Sequence, residues 1–201
     1  MPSLQTITLH NTQYEYCSWS QFGEDIFTLS QKILESGQKF DRIVALAKGG
    51  LTLSRSLVDY VKVEEVSSIQ IEFYTGIDQT AKTPVITQSL PVSIRDERIL
   101  IVDDVADSGE TLELAIKYLQ YHGAKSIQTA TWFMKPKSKI KPDFFVKETT
   151  AWIIFPHEIR ETIETLQKMW SEKGDSVEKI KEQLIDIGIP QNEVEFFLQK
   201  S

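Results

Sequence analysis

One ten-residue segment near the middle of the chain concentrates residue types that could do chemistry. Residues 102–111 run Val-Asp-Asp-Val-Ala-Asp-Ser-Gly-Glu-Thr, so three aspartates precede a loop of small and hydroxyl residues. A short loop that opens a helix offers free backbone N–H groups and the positive end of the helix dipole, which suit a phosphate. Carboxylates beside a phosphate would repel it unless they serve a sugar diol, Mg²⁺ or a proton in transfer. The segment therefore indicates a site for a phosphorylated sugar.

The elements on either side of this segment would place it at the edge of a sheet. Residues 99–101 are a bare hydrophobic run, Ile-Leu-Ile, typical of a buried strand. After Gly109, apolar residues recur at helical spacing as far as His122, and Gly123 ends the pattern. Ligands of open α/β sheets bind at the carboxyl ends of the strands, which is where this turn would lie.

The rest of the chain alternates between strand and helix patterns, which predicts an α/β fold with a doubly wound, mainly parallel sheet. A small β element is expected within residues 4–16, and the apolar runs at 43–47, 68–73, 127–134, 144–146 and 152–155 are expected to form strands of the sheet. Helices are expected from Ser18 to Gly37 and after Gly50.

Composition limits the possible partners. The chain has 201 residues and a formal net charge of -7, which argues against nucleic acid as the main partner. The single cysteine, Cys17, excludes an internal disulfide and a cysteine-based metal site, and it is expected to be a small buried residue. A leader pattern and a long apolar run are both missing, so we expect a cytoplasmic protein without a membrane partner.

Residues 102–111 resemble the phosphoribosyl-diphosphate (PRPP) signature of the type I phosphoribosyltransferases. Receiver domains of response regulators also carry paired aspartates after a strand, but they lack the Ser-Gly-x-Thr loop. The resemblance covers about residues 40–160. It implies the fold of that family, with a small hood at about residues 74–89 that shields the reacting sugar from water. A plain exposed linker is the alternative for this segment.

The resemblance also implies which residues bind PRPP. The Lys48-Gly49-Gly50 loop would bind the diphosphate, and Asp103 and Asp104 would hold the ribose hydroxyls directly or through Mg²⁺. Asp107 would be the general base or proton-holding group. The 5′-phosphate would be held by the following loop, whose residues are Ala106, Asp107, Ser108, Gly109, Glu110 and Thr111.

Two later segments resemble the purine-binding parts of xanthine–guanine-type enzymes, particularly archaeal forms. Lys135 ends the 127–134 strand and would donate a hydrogen bond to the purine O6. In the tail segment 150–158, Trp152 would stack on the purine and Ile153 would contact the base edge through its backbone. Val105 would complete the base site. This resemblance favours a 6-oxopurine, but His157 and Ile154 depart from the family pattern and the C-terminal extension is unusual for it, so adenine remains open.

The chain is expected to divide into a phosphoribosyltransferase domain, residues 1–160, and a C-terminal helical extension, residues 161–201. Apolar residues at helical spacing predict three helices after Pro156. The apolar run Phe196 to Leu198 needs a covering surface, either a second subunit in a homodimer, which we favour, or the chain's own core. A PRPP-sensing regulator without catalysis and a pyrimidine or orotate enzyme are the alternative functions.

Overall fold

In the computed structural model of the chain, the structure describes residues 6–75 and 82–199. The elements, in chain order, are β1 (Thr6–Leu9), β2 (Thr12–Tyr16), α1 (Trp19–Glu35), β3 (Arg42–Ala47), α2 (Gly49–Val61), β4 (Glu65–Thr75), β5 (Lys82–Gln88), β6 (Arg98–Ala106), α3 (Glu110–Tyr121), β7 (Ser126–Met134), β8 (Phe144–Glu148), β9 (Trp152–Ile154), α4 (Ile159–Ser171), α5 (Val177–Ile187) and α6 (Gln191–Leu198). The chain forms two compact units, and the boundary between them falls inside α1. We call residues 24–149 the sheet unit. Residues 1–23 together with residues 150–201 are the helical unit.

The sheet unit is built on a six-stranded sheet in the order β5-β4-β3-β6-β7-β8. All neighbouring strands pair in parallel except β5, which pairs antiparallel with β4 at one edge. The two central strands, β3 and β6, are fully buried through residues 43–46 and 99–102, as expected of strands covered on both faces. Helix α3 adds Leu112, Ala115 and Leu119 to the same core. The predicted α/β fold with a mainly parallel sheet is confirmed.

The segment predicted as a hood loop contains more strand than expected. Strand β4 continues to Thr75, and β5 covers residues 82–88, where the sequence suggested a hood or linker of irregular structure. Pairing between Phe73 and Pro84 is part of this antiparallel ladder. A polar strand at a sheet edge needs no apolar alternation, because one face and one edge meet water. The remainder of the predicted hood, residues 76–81, lies outside the described residues.

The helical unit combines the two ends of the chain. Strands β1 and β2 form an antiparallel hairpin, and β9 pairs in parallel with β2. The prediction that residues 152–155 close the main sheet is therefore wrong. The apolar run was read correctly as a strand, but strand pattern alone does not identify a partner strand, and Tyr14 of β2 lies opposite Trp152.

Helices α4, α5 and α6 pack on that hairpin around one apolar core. Trp170 of α4, Leu184 of α5 and Val194 of α6 are buried there, and Phe197 and Leu198 pack against the same cluster. The alternative in which the tail covers the chain's own core is thus confirmed for Phe197 and Leu198, whereas Phe196 is exposed. Cys17 is buried, as expected. Within the described residues, none of the helices has the length and apolar character needed to span a bilayer.

Candidate active site

The predicted phosphate segment lies at the carboxyl end of β6, the central strand of the sheet unit. Strand β6 runs through residues 98–106, and a left-handed residue, Gly109, leads into α3. A cavity of about 260 Å³ opens at this point. Its lining comprises Phe73, Asp103, Asp104, Val105, Ala106, Asp107, Ser108, Gly109, Thr111 and Leu112. Nearly the whole predicted PRPP signature therefore faces one space.

Two of the aspartates are fixed by the backbone around them. Asp104 is only 8% exposed, and the side chain of Asp103 accepts a hydrogen bond from the Asp104 N–H at 3.0 Å. A Cβ added at Gly49 would overlap the Asp104 carboxylate, and one at Gly50 would overlap the Val102 carbonyl. The two glycines are needed because the first turn of α2 touches the end of β6 directly.

The same contacts locate the predicted diphosphate loop. Lys48 is the exposed residue that immediately precedes α2, and the Ala47–Lys48 peptide bond is cis. The Lys48 carbonyl accepts a hydrogen bond from the Leu51 N–H at 3.1 Å, and this bond closes the first turn of the helix. The structure therefore brings the Lys48-Gly49-Gly50 loop together with Asp104, as the sequence predicted.

The loop after β6 leads through a left-handed glycine into the first turn of α3. Gly109 has a φ of +81°, and its carbonyl accepts a hydrogen bond from Glu113 at 2.9 Å in the first turn of α3. The hydroxyl of Ser108 accepts from the Glu110 N–H at 3.3 Å. Other N–H groups of the first turn, including that of Thr111, have no partner within a helix, and they carry the positive end of its dipole.

Three lysines of the segment that follows β7 approach this loop. The Lys135 N–H donates to the Ala106 carbonyl at 2.9 Å, so the Lys135 backbone lies beside the predicted site. Lys137 Nζ lies 2.8 Å from Asp107 Oδ1, and Lys139 Nζ lies 2.9 Å from Glu110 Oε1. The sequence reasoning missed the two later lysines.

One of these pairs changes a pKa at the site. Hydrogen bonding to Glu110 raises the pKa of Lys139 above its usual value, so its ammonium stays charged well into the alkaline range. Within α3, Lys117 donates to Glu113 and lowers the pKa of that carboxyl. Two carboxylates of the loop, those of Asp107 and Glu110, are thus each paired with a lysine.

The predicted purine residues are divided between the two units. Val105 lines the cavity together with Phe73, a residue that the sequence reasoning did not identify. Trp152 and Ile153 belong to β9 of the helical unit. The Trp152 side chain is 38% exposed and its ring centroid lies 6.1 Å from that of Tyr14, while Ile153 is buried. Stacking by Trp152 and base contact by Ile153 remain predictions.

Comparison with known proteins assigns the family. A family model described as a phosphoribosyl transferase domain matches residues 13–161 of this chain. The chain belongs to the phosphoribosyltransferase family. The family predicted from residues 102–111 is confirmed, and the matched span includes every predicted site residue of this phosphoribosyltransferase.

The similar proteins include several that are named as purine phosphoribosyltransferases. The xanthine-guanine phosphoribosyltransferase of Gluconobacter oxydans (strain 621H) is 29% identical over 152 residues, covering 74% of this chain and 87% of the relative. The crystal structure of the purine phosphoribosyltransferase from Pyrococcus horikoshii Ot3 has a TM-score of 0.65 and 37% identity, covering 71% of this chain and 92% of that one. The Helicobacter pylori xanthine-guanine-hypoxanthine phosphoribosyltransferase has a TM-score of 0.64 and 27% identity, covering 77% and 99%.

The donor set of the phosphoribosyltransferase site fits Mg²⁺. This cation prefers oxygen ligands and keeps several waters, so one or two carboxylates are enough to hold it beside a phosphorylated substrate. Asp103 and Asp104 both line the cavity and both supply carboxylate oxygens. Sulfur ligands are excluded in any case, because the only cysteine of the chain is buried Cys17.

Proposed function

We propose that this phosphoribosyltransferase transfers 5-phosphoribose from PRPP to a purine base, with 6-oxopurines favoured. The products would be diphosphate and a purine nucleoside 5′-monophosphate, as in purine salvage. The observation that carries the proposal is the cavity at the end of β6, where three aspartates face the first turn of α3. The similarity to relatives named for xanthine, guanine and hypoxanthine supports a purine as the acceptor.

The donor half of the mechanism follows from charge. Loss of diphosphate leaves positive charge at the anomeric carbon and negative charge on the leaving group, and Mg²⁺, when bound, would neutralise the latter. Asp103 and Asp104 would hold the ribose 2′- and 3′-hydroxyls and the metal. The Lys48 ammonium and the N–H groups of the adjoining glycines would bind the diphosphate.

The phosphate loop orients the sugar. Backbone N–H groups of residues 108–111, together with the hydroxyls of Ser108 and Thr111, would bind the 5′-phosphate at the positive end of α3. Holding the phosphate and the ribose hydroxyls at once fixes the anomeric carbon in front of the base. Such positioning, rather than covalent chemistry, is the main contribution of the protein.

The acceptor half requires a proton to leave the purine imidazole ring as the new bond forms. Asp107 lines the cavity and is the candidate that accepts or holds this proton. Lys135 would donate a hydrogen bond to a 6-oxo group, and Trp152, Ile153 and Val105 would contact the base.

A base screen tests the proposal. The protein is incubated with PRPP, Mg²⁺ and one of adenine, hypoxanthine, guanine or xanthine, and the nucleotide product is measured by chromatography. We expect product with at least one 6-oxopurine. Product with adenine alone would favour the diverged adenine enzyme instead. PRPP binding without reaction of any base would favour the non-catalytic regulator.

A matched pair of variants makes the screen specific to the site. Asp104→Asn removes a carboxylate of the cavity and should abolish most nucleotide formation. Asp59→Asn removes an exposed carboxylate of α2 in the same unit and should leave the rate near that of the wild type. Equal rates for the two variants would contradict the assigned site.

Three further expectations are proposals of the same kind. We infer that the functional domain is residues 1–160, with residues 161–201 as an extension, and that the protein works as a homodimer in the cytoplasm. Exposed Phe27 and Tyr60, whose rings lie 5.9 Å apart, offer an apolar surface that supports self-association. Light scattering would give the oligomeric state, and cell fractionation would give the location.

A further inference from the structure

Residues 135–140, which we call the lysine segment, run alongside the phosphate loop, residues 106–110. The pairing begins where strands β6 and β7 end and continues past them. The N–H of Lys135 donates to Ala106 and the N–H of Lys139 donates to Ser108, each at 2.9 Å. Lys137 lies between these two backbone contacts, in the turn that joins them.

The lysine segment is held in place by its own turn and by a glycine. Ser138 closes the turn, because its N–H donates to the Lys135 carbonyl at 2.9 Å and its hydroxyl donates to the Ile140 carbonyl at 2.8 Å. A Cβ added at Gly109 would lie 2.7 Å from Ile140 N and 2.8 Å from Ser138 Oγ. The two segments are in direct backbone contact, so the position of Lys137 is fixed by more than its own ion pair.

The charges that line the cavity suggest what the ion pair between Lys137 and Asp107 does. Three carboxylates, those of Asp103, Asp104 and Asp107, line the cavity, whereas lysines are missing from the described residues that line it. PRPP is a polyanion, and like charges a few ångströms apart repel each other. Mg²⁺ and the ribose hydroxyls would occupy the first two carboxylates. The third, Asp107, has the Lys137 ammonium at 2.8 Å.

We propose that Lys137 is a positioning residue that acts through Asp107. Its ammonium offsets the negative charge of Asp107 while PRPP binds. By contacting Oδ1, it also limits the orientations that the Asp107 carboxylate can adopt. This inference rests on the proposed function, because it assigns Lys137 a part in binding the donor and orienting the base-side carboxylate.

The first test measures PRPP binding by calorimetry in the presence of Mg²⁺. Because both side chains of the pair are more than half exposed, we expect Lys137→Met to weaken PRPP binding by only about two- to fivefold, and Lys137→Arg to restore most of the affinity. Raising the salt concentration should narrow the difference between wild type and Lys137→Met, since screening weakens both repulsion and ion pairing. The matched control is Lys117→Met, which removes an ion pair of similar exposure on α3 and should bind PRPP as the wild type does.

A double-mutant cycle then shows whether Lys137 acts through Asp107. In the Asp107→Asn background, Lys137→Met should have little further effect on the Kd for PRPP or on kcat, because the charge to be offset is gone. Thermal unfolding of all variants should stay near that of the wild type. Additive losses in the cycle would overturn the proposal.

The outcomes separate this inference from the proposed function. A wild-type protein that binds PRPP, with Lys137→Met equal to it in Kd and in kcat/KM, overturns the role of Lys137 and leaves the proposed function intact. A wild-type protein that binds no PRPP overturns the proposed function and this inference together.

Discussion

The sheet unit and the helical unit place their polar side chains in different surroundings. In the sheet unit, Asp103 and Asp107 face an open cavity at the end of a buried strand. In the helical unit, His10 Nε2 lies 2.8 Å from the largely buried carboxylate of Asp175, and the His10 ring lies 5.5 Å from that of Trp170. Similar residue types thus serve a cavity in one unit and a packed core in the other.

Because of this difference, we expect ligand binding to depend on the sheet unit and stability to depend on the core of the helical unit. A parallel sheet leaves its strand ends uncovered, so polar groups there remain available to a ligand. A helical core offers no such edge, so polar groups inside it contact other core residues rather than a ligand. We therefore expect substitutions in the cavity to change binding and turnover, and substitutions in the helical core to change the free energy of unfolding.

The largest effect is expected in the helical core. Trp170 is fully buried, so Trp170→Ala should lower the free energy of unfolding by about 3–5 kcal/mol through lost packing and the cavity it leaves. Urea denaturation measures this. Phe196→Ala, at an exposed aromatic residue of α6, is the control and should change stability by only about 0.5 kcal/mol. A loss at Trp170 no larger than that of the control would break the comparison.

The next effect is on turnover in the sheet unit. Asp107→Asn keeps the shape of the side chain but removes its capacity to accept a proton, so kcat should fall by about a hundredfold or more. The Kd for PRPP should change far less, and the urea midpoint should stay that of the wild type. Steady-state kinetics with separate PRPP titration checks both. Equal losses in kcat and in PRPP affinity would remove the assigned catalytic role.

Two glycines with similar backbone angles sharpen the comparison further. Gly109 has a φ of +81° and Gly174 has a φ of +91°, so alanine at either position costs about 1 kcal/mol of backbone strain. Only Gly109 has atoms close to the added Cβ, whereas Gly174 has open space. Gly109→Ala should therefore lose more stability and also weaken PRPP binding. Urea denaturation and PRPP calorimetry of both variants test this, and identical behaviour would contradict the close approach.

The smallest effect depends on pH. The hydrogen bond from Lys179, with the nearby His10, holds the pKa of Asp175 below its usual value of about 4. Folding thus favours the ionised carboxylate, so its contribution to stability is present above pH 4 and is lost as the pH falls through the lower folded-state pKa. Asp175→Asn should lower the free energy of unfolding at pH 7, and the gap to wild type should close below about pH 4. Urea titrations at three pH values measure the gap, and a gap that widens on acidification would refute this.

Much of the sheet unit was predictable because its signals are local. The run Ile99 to Ile101 with the aspartates and the Ser-Gly-Glu-Thr loop specifies strand, turn and helix within about twenty residues. Gly109 had to be a glycine for its left-handed φ, and Gly50 for its contact with the Val102 carbonyl. A backbone position that only glycine can occupy can be recognised in the sequence, because the residue type itself is the signal.

The errors and omissions concern contacts between distant parts of the chain. Residues 152–154 form a strand as predicted, but their partner is β2, about 140 residues earlier, and periodicity carries no information about partners. Lys137 and Lys139 were missed because a lysine after a strand usually meets only solvent. Their roles follow from the pairing between the lysine segment and the phosphate loop, which only the fold reveals.

The discontinuous helical unit has a consequence for synthesis. Its hairpin, β1–β2, is made among the first residues, yet β9 and the helices that cover Tyr14 are made last. The sheet unit, in contrast, is one continuous stretch of chain, residues 24–149. During synthesis the parallel sheet is therefore complete before the helices that cover the hairpin have been made. A chain cut short near residue 150 would leave the apolar residues of the hairpin exposed, which is the kind of surface that quality-control chaperones bind.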